Sequence, residues 1–382
     1  MHDVIIVGAG PAGATLGREL ARCGMNVVIL EKAYLPRYKP CAGGLPVRTL
    51  YLLDVDIIPV VERAVYSVVL SQGCAEQITL RSPQPLLYTV MRDRFDAFLV
   101  EQAKAAGAQV VEGLAVERVA VDGERVWVTA GGEDWPARIV VGADGAFSVV
   151  TRSLGLMQGV PFSMAIEGEF NVSRSTLAAW EEAVALDLGT LPGSYGWLFP
   201  KQRYLSIGVG GFHRRGRELK AYYQAFLAAG LGHAPHHLRY RSGHILPHRQ
   251  PGMAIQRGPV LLLGDAAGLV DPWSGEGIYY AIRSARLAAP VIQAALEQNE
   301  VDLRPYEQAV DEELMPDLLT ARVCGWIYRW CPGLFMRLAR REGPAWRALC
   351  MLMQKGTAYA RLRARIRPLD LLVRWMNKTN RR

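Results

Sequence analysis

The 382-residue chain is half hydrophobic and about one-fifth charged, with six cysteines and a formal net charge of +8. That balance suits a globular protein with room for two or more domains and excludes a disordered or collagen-like chain. No uncharged apolar run reaches bilayer length, and no C-x-x-C pair signals zinc or a disulfide framework, so no metal and a reducing cytoplasmic setting are expected.

Residues 3–7 form an apolar, β-branched run, expected as a buried parallel strand. Because that strand opens the chain, no signal peptide is expected. Gly8, Gly10 and Gly13 follow in G-x-G-x-x-G spacing around Ala12. Gly8 permits a tight turn, Gly10 lets backbone N–H groups approach a pyrophosphate, and Gly13 lets helix and strand pack closely. A helix over 11–23 would aim its N-terminus at the phosphates. A second strand over 27–30 leads to Glu31 and Lys32, and Glu31 has the spacing of a ribose-hydroxyl acceptor. These parts together define a dinucleotide site, compatible on its own with FAD or NAD.

A Pro- and Gly-rich loop over 36–46 precedes a short helix over 47–60 and strand-like stretches over 64–70 and 77–80. Met91-Arg92-Asp93-Arg94-Phe95-Asp96 opens a helix to about residue 106, which Gly107 ends. A parallel strand over 109–112 and an antiparallel crossover within 115–130 follow. A buried strand over 138–142 then ends at Asp144-Gly145. Residues 160–250 read as an antiparallel layer, with strands over 165–172, 196–200, 204–211 and 238–245 and a helix over 218–229. Residues 260–264 return to the first domain as a strand ending at Gly264-Asp265. A helix over 276–297 follows, and the remainder is helical.

One ligand gripped by loops 250 residues apart suggests a large two-part cofactor such as FAD. The expected fold class is α/β: a discontinuous Rossmann-like FAD-binding domain (1–60, 88–155, 250–298), an antiparallel β-sheet substrate domain (61–87, 156–249) and a basic helical C-terminal region (299–382).

The charge is uneven. Residues 319–382 carry a net +13 and the rest −5, and Trp326, Trp330, Trp346 and Trp375 lie in the basic part. Arg361, Arg363, Arg365 and Arg367 alternate there with Leu362 and Ile366. Two readings fit: an interfacial surface for anionic lipid, giving a peripheral membrane placement, or a solvated helical cap. Basic character confined to one end, with no nucleic-acid motif, argues against nucleic acid.

With these stretches in place the chain resembles the geranylgeranyl reductase branch of the aromatic-hydroxylase flavoprotein superfamily. The resemblance covers about residues 1–295. It rests on the fingerprint ending in Glu31, on Arg92 of Arg-x-x-Phe-Asp, on Asp144-Gly145, and on Gly264-Asp265 with Pro272 and Gly275-Glu276-Gly277-Ile278. The resemblance implies that Arg92 contacts FAD and that Asp144 belongs to a second dinucleotide motif. Asp265 at a strand end can take a ribitol hydroxyl, and backbone N–H groups at Gly275, Gly277 and Ile278 can stabilise charge on reduced flavin. Lys39-Pro40-Cys41-Ala42-Gly43-Gly44-Leu45-Pro46 resembles the cysteine loop of these reductases near the flavin, with Ala42 standing where relatives carry glycine. Residues 192–200 resemble their P-x-x-Y-x-W motif of the isoprenoid pocket.

The resemblance implies FAD as cofactor, a polyprenyl substrate, and NADPH or reduced ferredoxin as a transient electron donor. Cys41, Tyr195 and Trp197 are the candidate catalytic residues: Tyr195, Trp197 and Phe199 alternate on one strand face, and Cys41 or Tyr195 could supply a proton. The alternatives are core packing for the aromatics and a buried hydrophobe for Cys41. Arg37, Tyr38 and Lys39 read either as a hold for an anionic head group or as a solvated loop. His233, His236, His237, His244 and His248 lack convincing metal spacing. At the level of function, a flavin monooxygenase or halogenase and a non-catalytic prenyl-lipid-binding flavoprotein stand as the alternatives.

Overall fold

The computed structural model describes residues 1–355, apart from 124, 190, 212–215, 233, 299 and 341–342, together with Tyr359 and Arg363. In chain order it contains β1 (His2–Val7), α1 (Pro11–Arg22), β2 (Val27–Glu31), β3 (Gly44–Pro46), α2 (Val47–Leu50), β4 (Val61–Val65), β5 (Ser67–Gln72), β6 (Glu76–Arg81), β7 (Leu87–Val90), α3 (Arg92–Ala105) and β8 (Gln109–Glu112). Then come β9 (Val116–Asp122), β10 (Arg125–Ala130), β11 (Glu133–Gly142), α4 (Val149–Ser153), β12 (Phe162–Val172), α5 (Arg174–Ala179), β13 (Ala183–Leu188), β14 (Ser194–Pro200), β15 (Tyr204–Gly211), α6 (Gly216–Leu231) and β16 (His236–Pro247). The chain continues through β17 (Gln256–Arg257), β18 (Val260–Leu262), α7 (Ile278–Glu297), α8 (Arg304–Glu313), α9 (Met315–Trp330), α10 (Pro332–Ala339) and α11 (Pro344–Gln354).

The first sheet is parallel through β18, β11, β1, β2 and β8, with β17 antiparallel on one edge and the β9–β10 meander hung from β11. Its central strands are buried on both faces, which is why they read as unbroken apolar runs rather than as alternation. α1 packs on this sheet against α3 and α7. Tyr306, Val310, Met315 and Leu318, from α8 and the start of α9, belong to the same core.

The second sheet runs β16–β12–β15–β14–β13–β5–β6, antiparallel except where β13 pairs with β5. α6 covers one face through Tyr222, Tyr223 and Phe226. On the other side Met336, Ala339 and Trp346 of α10 and α11 join a core with Val68, Leu70 and Val184. Each such valine, leucine or methionine side chain removed from water contributes roughly 1.5–3 kcal/mol. A small sheet, β3–β7–β4, bridges the layers.

Several expectations need correction. Residues 47–60 hold only the four-residue α2 and a 3₁₀ turn, Ile58–Val60; Pro59 and the acids Asp54 and Asp56 interrupt any longer helix. The loop over 36–46 ends in a strand, β3. β13 was not expected, and its Asp187 masks the pattern. That carboxylate is buried, accepting hydrogen bonds from Ser71 Oγ at 2.7 Å and Tyr222 Oη at 2.7 Å. α7 begins at Ile278 rather than 276, because Gly277 caps it. His233, Leu362, Arg361, Arg365, Ile366, Arg367 and Trp375 lie outside the described residues.

Candidate active site

A cavity of about 1300 Å³ spans both sheets, larger than the roughly 300–1,000 Å³ of an ordinary single-ligand pocket. Its polar end is built by strand-to-helix loops of the first sheet, and Gly8, Gly10, Ala12, Glu31, Lys32, Asp144, Gly264 and Asp265 line it. Gly8 has φ +100° and lies so close to Ala143 that an added Cβ would stand 2.6 Å from its carbonyl oxygen. Gly13 lies behind the wall, where a Cβ would stand 2.0 Å from the Gly8 carbonyl oxygen. Gly10 faces open space: a Cβ there would meet nothing within 4 Å. α1 starts at Pro11 without a side-chain cap, so its first amides are left for a ligand.

The acids differ in commitment. Glu31 is buried, accepting from Ala9 N at 2.9 Å and Ala33 N at 3.1 Å. Asp144 Oδ2 accepts from Val149 N at 2.6 Å, while its buried Oδ1 has no partner among the described residues. Burial pushes the Asp144 carboxyl up. Burial would also raise Asp265, but His244 (Nε2 to Oδ2, 3.7 Å), Lys39 and Arg92 outweigh it and hold that carboxyl below its usual range.

Arg92 lines the cavity and is locked by two 2.8 Å bonds to Asp96, which also binds Arg37 Nη1 at 3.1 Å. Lys39 Nζ sits 3.1 Å from His244 Nε2, and Tyr38 stacks on Tyr240 with ring centroids 4.5 Å apart. Residues 37–39 are thus tied into the wall rather than solvated.

The middle of the cavity brings together the loop 39–44, β14 and the loop 272–277. Cys41 N donates to Glu167 Oε1 at 2.9 Å, and Gly43 N donates to Cys41 Sγ at 3.3 Å. Gly43 has φ +62° and is pressed against Val90 O, so a glycine is required there, whereas Ala42 is accommodated. Lys201 Nζ, almost fully buried, donates to Ala42 O at 2.5 Å and Val90 O at 2.9 Å. Trp197 Nε1 donates to Glu167 Oε2 at 3.2 Å. Tyr195 donates its hydroxyl to Ser274 O, and burial pushes its phenol pKa up. Gly275, Gly277 and Ile278 line the wall beside it, and Pro272 is buried behind them. Arg48 of α2 pairs with Glu276 and lies over the Tyr279 ring at 4.3 Å.

Beyond Trp197 the cavity turns apolar. Val68, Val184, Leu186 and Phe199 of the second sheet face Ile327, Phe335, Leu349 and Met353 of α9, α10 and α11. The described part of the C-terminal region, α9 to α11, therefore closes a chamber instead of standing apart as a cap. Sequence reasoning missed that, together with Glu167, Lys201 and Arg48. Glu167 was findable with Glu169 as a pair of acids, spaced to share one face, in an otherwise largely apolar strand.

Glycine loops with open amides, an unpartnered buried carboxylate oxygen and paired acids at strand ends fit a flavin dinucleotide. Residues 1–308 match the FAD binding domain family. The chain is an FAD-dependent oxidoreductase. It is 33% identical over 321 residues to geranylgeranyl diphosphate reductase of Rhodobacter capsulatus, covering 78% of this chain and 77% of that one. It is 31% identical over 346 residues to digeranylgeranylglycerophospholipid reductase 1 of Methanopyrus kandleri, covering 84% and 88%. A geranylgeranyl bacteriochlorophyll reductase-like protein of Thermoplasma acidophilum superposes with a TM-score of 0.82 at 24% identity, over 96% of this chain and 99% of that one, which shows a shared fold. The chain belongs to the geranylgeranyl reductase family of FAD-dependent oxidoreductases.

Proposed function

We propose that the protein saturates carbon–carbon double bonds in a geranylgeranyl or other polyprenyl chain. The observation that carries this reading is continuity: the dinucleotide loops and an apolar chamber form one cavity, with Cys41, Tyr195 and Trp197 on its wall. FAD, when bound and reduced, supplies a hydride from N5.

The chain's own residues do the rest. Amides at Gly10 and Ala12 take the pyrophosphate, Gly13 lets α1 pack close enough to present them, and Glu31, with Lys32 beside it, takes the ribose. Arg92 and Asp144 border the same cofactor, and Asp265 takes the ribitol. The amides of Gly275, Gly277 and Ile278 stabilise charge on the flavin ring, with Pro272 shaping their loop. Ala42 carries the backbone of the Cys41 loop. The apolar chamber aligns the prenyl chain and excludes water, which protects the reduced cofactor from side reactions. Cys41 presents the proton, Tyr195 braces the loop through Ser274 O, and Trp197 walls the reacting bond. The electron donor, NADPH or reduced ferredoxin, docks transiently.

Trp326 and Trp330 of α9 and Leu334 and Leu338 of α10 are exposed, and the two leucines also line the chamber. This rim, with Arg329 and Arg337 beside it, supports a peripheral placement on anionic membrane, from which a prenyl lipid would enter. Among the described residues no helix is long and apolar enough to cross a membrane. The Cys41→Ala variant tests the reading: it should keep FAD and lose alkene reduction, and full turnover would remove Cys41 from the chemistry.

A further inference from the structure

Saturating a double bond adds a hydride to one carbon and a proton to the other. The electron pair comes from reduced FAD, so the chain must deliver a proton inside a water-poor chamber, repeatedly. Cys41 holds one proton and has to be refilled. This inference rests on the reductase reading above.

Behind Cys41 lies a buried polar group that reading leaves unused. Glu167 on β12 is 3% exposed, lines the cavity, and has one oxygen on Cys41 N and the other on Trp197 Nε1. Two residues along the same strand, Glu169 is equally buried, and its Oε2 has no partner among the described residues. The Tyr38 hydroxyl, next to both carboxyls, is also buried without one. Buried polar atoms that lack a protein partner are commonly satisfied by ordered water. Tyr38 stacks on Tyr240, which is 41% exposed, so Tyr38 lies one side chain away from solvent at β16.

We propose that Glu167 is the proton reservoir of the saturation, discharged through Cys41 and refilled from solvent through Glu169 and Tyr38. The Cys41 S–H bond breaks as the new C–H bond forms. The Glu167 O–H bond breaks as S–H re-forms. A solvent proton, passed along the Glu169–Tyr38 track, restores the Glu167 carboxyl.

The surroundings of Glu167 leave its carboxyl raised overall, against the pull of Lys201. Burial raises it; Lys201 from the β14–β15 turn and the bonds from Cys41 N and Trp197 oppose burial, while Glu169 adds to it. Burial also lowers Lys201, itself flanked by Glu167, Cys41, Glu62 and Glu169. Glu169 is raised by burial, with Arg239 of β16 and Asp93 of α3 nearby. On the far face Tyr223 of α6 lies near Arg241.

The test uses the FAD-loaded protein and Glu167→Gln, which keeps the side chain's shape and one acceptor oxygen, turns an N–H toward either Cys41 N or Trp197 Nε1, and removes the labile proton. Infrared difference spectra, wild type minus Glu167→Gln, should show a protonated carboxyl at about pH 6, above an ordinary carboxyl's range, without substrate; an ionised Glu167 at that pH would overturn the proposal whether or not turnover is seen. In anaerobic repeated turnovers with geranylgeranyl diphosphate and dithionite as reductant, Glu167→Gln should spare the first turnover, lower the rate of the later ones roughly 10²–10⁴-fold and flatten their pH profile. An unchanged rate and profile beside an active wild type overturns the reservoir alone. An inactive wild type overturns the reductase reading and the reservoir with it. Should Glu167→Gln not fold, Tyr38→Phe serves: it should slow repeated turnover more than the first, and equal effects on both would contradict the refilling path.

Discussion

Gly13→Ala and Gly10→Ala differ by three positions in one loop and should behave in opposite ways. At Gly13 the new methyl would stand 2.0 Å from the Gly8 carbonyl oxygen and 3.2 Å from Ile6 Cγ2, against an ordinary contact of 3.4–4 Å. The obstacle is backbone, so α1 has to move off β1 by more than an ångström. Overpacking of this kind costs about 1–3 kcal/mol, and up to about 1 kcal/mol returns from helix propensity. The net expectation is a loss of about 2 kcal/mol together with weakened FAD binding. At Gly10 the backbone is extended (φ −74°) and the methyl meets no protein atom. Stability should stay within about 0.5 kcal/mol, yet the methyl occupies the approach to the pyrophosphate, and FAD affinity should fall at least about tenfold, or about 1.4 kcal/mol. Urea unfolding of the apoproteins and FAD titration by fluorescence quenching separate the two effects. Undiminished FAD affinity in Gly10→Ala, or a Gly13→Ala apoprotein as stable as wild type, would refute the reasoning.

Three further outcomes follow from the same geometry. Glu276→Ala strands the Arg48 guanidinium in the interior and should cost about 3–5 kcal/mol in denaturant unfolding, most of it recovered when Arg48→Met is added. His248 is buried between Ser163 Oγ and Val270 O, and burial lowers its pKa from 6.5 to about 4. The unfolded chain therefore binds the extra proton first: stability is intact above pH 6.5 and falls as pH drops toward 4, by about 3 kcal/mol in all. His248→Gln should flatten that acid limb in pH-dependent unfolding. Ala348→Trp fills the apolar chamber and should leave FAD binding intact while lowering turnover of a geranylgeranyl substrate more than that of a geranyl one, by steady-state kinetics; equal loss for both lengths would contradict the chamber's role.

What the sequence disclosed was local. The glycine spacing, Glu31 and the Asp265 strand end are each set by a few neighbouring residues, and they bring one ligand's contacts together because parallel strands present their carboxyl ends on one edge. The apolar chamber was not legible. Its walls come from β5, β13 and β14 on one side and from α9 to α11 on the other, and no short window holds both. The Arg-rich composition of the last sixty residues drew attention to their outer surface, while Trp346 and Met336 are buried against the second sheet. Lys201 looks like an ordinary turn lysine. Only the fold shows its ammonium beneath the Cys41 loop, donating to Ala42 O and Val90 O.

The central claim is tested most directly without oxygen: the FAD-loaded protein is reduced with dithionite, given geranylgeranyl diphosphate, and followed by flavin absorbance and by mass spectrometry of the lipid. Reoxidation matched by a gain of two hydrogens in the lipid is the expected result. A flavin that stays reduced beside geranylgeranyl diphosphate and digeranylgeranylglycerophospholipid alike, and reoxidises only when oxygen is admitted, would contradict the account and favour oxygen chemistry on this scaffold.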